Sequence, residues 1–146
     1  MKTINQYIKE SLLDDEEDLV DSSLYQPKDK NELIETIINC LNHQIYDLNY
    51  IDTSLIKDMS DLSRIIGRHP LNKHKNKFNK IDISNWDVSN VKDMRRMFAN
   101  SEFNGDISKW NVSNVKYMNG MFEASKFNRD ISKWNISNGT TTNKMF

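Results

Sequence analysis

The sequence has a single cysteine, Cys40, so no disulfide can form within the chain, and a lone thiol suits a reducing compartment. Its four glycines are scattered and build no Gly-rich loop of the kind that cradles phosphates. Net charge is scarce too: 20 Lys and Arg against 21 Asp and Glu leave −1, which excludes a global pull toward nucleic acid or membrane. No apolar run approaches the roughly 20 residues that span a bilayer. The opening MKTINQYIKESLLDDEED has no continuous apolar core and turns acidic, unlike a secretory signal. His43, His69 and His74 have neither metal-ligand spacing nor a cysteine partner. No Ser/His/Asp or Cys/His order suggests nucleophilic catalysis. The chain is therefore expected to be a soluble non-enzyme, with no catalytic residue, metal or other cofactor.

What is present is a repeat. Asp82-Ile83-Ser84-Asn85-Trp86-Asp87-Val88-Ser89-Asn90-Val91 returns as Asp106-Ile107-Ser108-Lys109-Trp110-Asn111-Val112-Ser113-Asn114-Val115, and again from Asp130, with a period of 24 residues. Met94…Met97-Phe98 returns as Met118…Met121-Phe122 and then as Met145-Phe146. A degenerate copy lies upstream, where Asp52–Met59 aligns with Asp87–Met94, and Leu48 and Ile51 take the places of Ile83 and Trp86. That offset is 35 residues, one period plus an 11-residue insertion within 63–80.

One unit offers about eight large apolar side chains, and their burial falls short of the entropy cost of ordering 24 residues. Stacked neighbours must close the gap. Trp110 and Val112 alternate with Lys109 and Asn111, the period of a short strand, while Met118…Met121-Phe122 has the spacing of a helical or 3₁₀ turn. The expected fold class is α+β, a solenoid of short strands and helical turns with an N-terminal capping helix. That helix is expected over Asn31–Gln44, where Leu33, Ile34, Ile37, Ile38 and Leu41 share a face and Asp29 and Glu32 have capping-box spacing. Residues 1–28 read as an amphipathic peptide and acidic linker, and 29–146 as the helix plus repeats at about 47–62, 82–105, 106–129 and 130–146.

The string FNGDISKWNVSNVKYMNGMF resembles the BspA-like repeat of bacterial surface proteins and mycoplasma-type lipoproteins, over Leu48–Phe146. The resemblance implies a leucine-rich-repeat-like solenoid with a binding role and supplies no catalytic residue. Surface-displayed members carry an export signal or a lipid-anchor cysteine, and this sequence shows neither. Residues Met1–Ser11 resemble the capsid-targeting peptides of internal head proteins in large tailed phages. Such peptides are cut after an Ile/Leu-x-Glu sequence, which here implies processing at Ile8-Lys9-Glu10, before Ser11. The expected location is the bacterial cytoplasm or a phage virion interior.

The leading expectation is a protein-binding repeat module, phage-encoded or virion-packaged, acting on a host or virion protein. Its contact residues are expected to be Asn85, Asp87, Lys109, Asn111, Lys133 and Asn135, which alternate with inward Trp and Val. One alternative is an inhibitor of a bacterial nucleic-acid-targeting defence. It would use the stretch from Leu62 to Ile81, which holds six Lys or Arg and no acid, with Arg64, Arg68, Lys73, Lys75 and Lys77 as contacts. Another is a structural phage head component. By default the basic stretch reads as a solvated insertion, the Trp86, Trp110 and Trp134 column as core, and Asp82, Asp106 and Asp130 as turn caps rather than calcium ligands. The last unit departs from the motif at Thr140–Thr142 and ends on Met145-Phe146, so two C-terminal units are expected to meet in a homodimer, with a threonine-capped monomer as the alternative.

Overall fold

The chain was analysed as a computed structural model, which describes residues 25–73 and 77–146. Their regular elements are α1 (Lys30–Asn42), α2 (Leu62–Arg68) and a 3₁₀ turn (Lys77–Lys80). The rest is successive turns joined by single-residue bridges.

Helix α1 starts where Asp29, in extended backbone, accepts the Glu32 N–H at 3.0 Å. The Glu32 carboxylate reaches back to the Lys28 N–H at 3.0 Å, one residue beyond its expected capping-box partner. Leu33, Ile34, Ile37, Ile38 and Leu41 are all buried, and the helix ends two residues before Gln44, which takes the left-handed φ of 60°. Tyr25, near the end of the expected acidic linker, is tied to the repeats and to α1. It forms a parallel bridge with Ile51, and its hydroxyl donates to Glu32 at 2.6 Å.

The repeats stack in register. Parallel bridges link Asp93 to Tyr117 and Tyr117 to Thr141 at the 24-residue step, and Asp47 to Asp82 and Asp58 to Asp93 at the 35-residue step. The expected α+β architecture of leucine-rich-repeat-like strands and helical turns is not what forms, because no sheet is present among the described residues. Local turns account for this. The N–H of Trp110 bonds to Ile107 O at 3.2 Å, and that of Val115 to Val112 O at 3.0 Å. Pairing between units survives only as isolated bridges, at Asp47–Asp82 and along Asp58, Asp93, Tyr117 and Thr141. The expected helical turn at Met118…Phe122 fails because Gly120 sits at φ 63°, as Arg96 does at 55° and Lys144 at 52°. A left-handed residue cannot continue a right-handed helix.

Two columns of phenylalanine run through the stack. Phe98 and Phe122 lie 5.7 Å apart and nearly parallel, and Phe103 and Phe127 lie 6.4 Å apart. Phe78 enters the core against Phe98 and Phe103, each at 6.2 Å. Beside them the three tryptophans are buried, and each indole N–H donates to a carbonyl of the preceding unit. Trp86 reaches Leu48 at 2.9 Å, Trp110 reaches Ile83 at 3.1 Å, and Trp134 reaches Ile107 at 3.0 Å. Toward the last unit burial declines, leaving Ile136 and Phe146 exposed.

The described part of the insertion before residue 74 packs against the core rather than forming a solvated loop. Leu62, Ser63 and Ile66 of α2 are buried, and the buried Asn72 amide donates to Ile66 O at 2.8 Å. The two helices contact one another.

Candidate interaction surface

With the tryptophans and Val88 and Val112 turned inward, alternation sends Asn85, Asp87, Lys109, Asn111, Lys133 and Asn135 outward, and all six are exposed. Local hydrogen bonds fix this row. Asp87 accepts the Ser89 N–H at 2.9 Å, and Asn111 accepts that of Ser113 at 3.2 Å. Each therefore spends one oxygen on its own turn and leaves the rest of its polar head outward. Asp82, Asp106 and Asp130 do the same for Ser84, Ser108 and Ser132, at 3.0, 3.0 and 2.8 Å. Those backbone bonds hold all three carboxyls below the usual aspartate range, because they stabilise the ionised form.

Sequence reasoning missed two members of this face. Tyr50 and Leu55 in the degenerate first unit are 51% and 50% exposed. The 35-residue alignment could have found them, since it sets Tyr50 at the position of Asn85 and Leu55 at that of Asn90. Contacts confirm the register. The Asn85 N–H donates to Asn49 Oδ1 at 2.8 Å, and the Asn90 amide donates to Ser54 O at 2.8 Å.

The residues of the basic stretch do not act as one group. Arg64 and Arg68 line a groove of about 830 Å³ between α2, the 3₁₀ turn and the turns at 96–102. Lys73 is exposed, with its N–H bonded to Asn42 Oδ1 at 2.9 Å, and Lys77 is half-buried beside Phe78. Neither lines the groove. Arg96, from the next unit, does line it and was not foreseen, because it is distant in sequence from the basic run. Asp61 gathers two of the arginines, with Arg64 at 3.0 Å and Arg96 at 3.9 Å, and Arg96 also reaches Glu123 at 3.6 Å. Lys75 and the processing residues Ile8, Glu10 and Ser11 lie outside the described residues.

Cys40 is buried, and that burial pushes its thiol up to about 12. Among the described residues no helix is long and apolar enough to cross a membrane, and no set of three or more His, Cys, Asp or Glu could hold a metal ion.

A family model described as "Mycoplasma protein of unknown function, DUF285" matches residues 32–146. No curated protein and no solved structure gives a significant match.

Proposed function

The chain belongs to the DUF285 family, and from that premise we propose that it is a non-enzymatic protein-binding module acting on a protein of host or virion origin. Its contact face is the outward row Asn85, Asp87, Lys109, Asn111, Lys133 and Asn135, extended over the first unit by Tyr50 and Leu55. One observation carries this reading: two half-exposed large apolar side chains adjoin a regular row of exposed polar ones. Protein interfaces draw most of their energy from a few such apolar or aromatic anchors, and a polar rim excludes water around them. The row mixes Asp87 with Lys109 and Lys133, so its charge suits a protein surface of both signs better than a polyanion.

Immobilised full-length chain should capture a discrete protein from host lysate, and the capture should persist as salt rises. A variant carrying Tyr50→Ala, Leu55→Ala, Asp87→Asn and Lys109→Asp should melt like the parent and lose that protein, since asparagine keeps the acceptor for the Ser89 N–H. If the variant keeps the same captured protein, the contact face lies elsewhere. If capture weakens steeply with salt in both, binding is electrostatic and the reading fails.

A further inference from the structure

We infer that the groove between α2 and the turns at 96–102 is a binding site for a compact phosphate-bearing ligand, held by Arg64, Arg68 and Arg96. This site is separate from the outward row. The groove, at about 830 Å³, is of the size that small ligands occupy. Arg64 and Arg68 of the insertion and Arg96 of the following unit all line it, and planar guanidinium forks match phosphate oxygens in pairs.

The local charge favours an anion. The wall built from α2 and the 3₁₀ turn belongs to the stretch Leu62–Ile81, which contains no acid. Across the groove, Glu102 is neutralised by Lys126 at 2.7 Å. Asp61 bonds to Arg64 at 3.0 Å and lies 3.9 Å from Arg96, which also pairs with Glu123 at 3.6 Å, so these ion pairs hold two guanidiniums in place and the groove's excess positive charge rests on Arg68. Arg68 is exposed and has no ion-pair partner among the described residues. The lining residues Asn79 and Asn100 add hydrogen-bonding groups.

Size and surface chemistry point to a cluster of phosphates rather than to stacked bases. Phe78 is the aromatic residue of the lining, and it is 6% exposed with its ring committed to Phe98 and Phe103. No ring face is offered to a base, so recognition rests on the phosphates.

Sodium tripolyphosphate, titrated calorimetrically into the full chain, tests this. Binding at sub-millimolar concentration is expected, weakened by at least about tenfold in Arg68→Gln and in Arg96→Gln, since each removes charge-assisted hydrogen bonds. Lys133→Gln, on the outward row, should bind like the parent, and all three variants should keep the parent's thermal melt. If Arg96→Gln melts early, Arg68→Gln alone decides. No binding at millimolar tripolyphosphate overturns the proposal, as does equal weakening by Lys133→Gln. A parallel titration with a single-stranded oligonucleotide separates the two sources of phosphate. If the oligonucleotide binds through Arg68 while tripolyphosphate does not, the ligand is a nucleic-acid backbone and the compact-ligand proposal is overturned. Because the outward row is untouched in Arg68→Gln, capture of the partner protein should survive in that variant whatever the groove binds.

Discussion

The indole N–H of Trp110 donates to the carbonyl oxygen of Ile83 at 3.1 Å, across the boundary between two repeat units. Trp86 and Trp134 make the same bond to Leu48 and Ile107. The tryptophan is thus both core filler and the tie between neighbours. It adds a second donor, from the next unit, to a carbonyl that already accepts the N–H of its own turn.

Trp110→Phe should separate these two roles. It keeps an aromatic ring in the core and removes one of the two donors to Ile83 O, which still accepts the Trp86 N–H at 3.2 Å, so a loss of about 0.5–1.5 kcal/mol is expected. Trp110→Ala also opens a cavity and should cost roughly 3–5 kcal/mol. Urea melts of the two variants would decide, and a Phe variant as stable as the parent would mean the bond contributes nothing net. Alkylation of buried Cys40 offers an independent readout, because the thiol should react only on unfolding.

Asp82, Asp106 and Asp130 are held below their ordinary range, chiefly by backbone N–H donors at Ser84, Ser108 and Ser132. A depressed folded-state pKa gives stability that is complete above the unfolded value of about 3.9. That stability is lost as pH falls through the lower folded value. Stability should therefore decline below about pH 4. Asp106→Asn should remove its share of that decline while keeping the turn, since Asn111 already accepts the Ser113 N–H through its amide oxygen. An unchanged acid limb in the variant would show that other groups control it.

Tyr25 fastens the linker to α1. Burial, then the bond to Glu32, raises its hydroxyl to about 12, while that same bond lowers Glu32. The raised tyrosine stabilises below about pH 10 and loses its effect as pH climbs through its folded value. Tyr25→Phe should let Glu32 return toward the usual glutamate range in an NMR titration. A Glu32 pKa that stays low would assign the shift to the Lys28 N–H alone.

Gly67 lies inside α2, and a Cβ built there meets nothing within 4 Å. Gly67→Ala should therefore stabilise the chain by about 0.5–1 kcal/mol through helix propensity. Thermal melts check it, and a destabilised variant would show that the helix needs the freedom of glycine.

Some of this structure was legible in the residues. The 24-residue period and the 35-residue offset predict the register that the Asp93–Tyr117 and Asp58–Asp93 bridges display. Side-chain period separates Trp110 and Val112 from Lys109 and Asn111, because burial follows alternation wherever backbone is extended. The apolar stripe of α1 and its Asp29 cap are equally local signals.

The sequence by itself determined the unit, its register and which residues turn inward, because these follow from spacing and hydrophobicity along the chain. Tertiary structure alone decided the rest. Alternation cannot reveal that turn bonds at Trp110 and Val115 occupy the backbone and prevent a sheet. Nor can it show the left-handed φ at Arg96, a residue with no glycine-like signature, which breaks the expected helical turn. The basic run conceals α2, because Leu62 and Ile66 gain their value only by meeting a core built elsewhere in the chain. Arg96 joins Arg64 and Arg68 for the same physical reason: stacking brings together residues that are far apart in sequence, and proximity of that kind leaves no local trace.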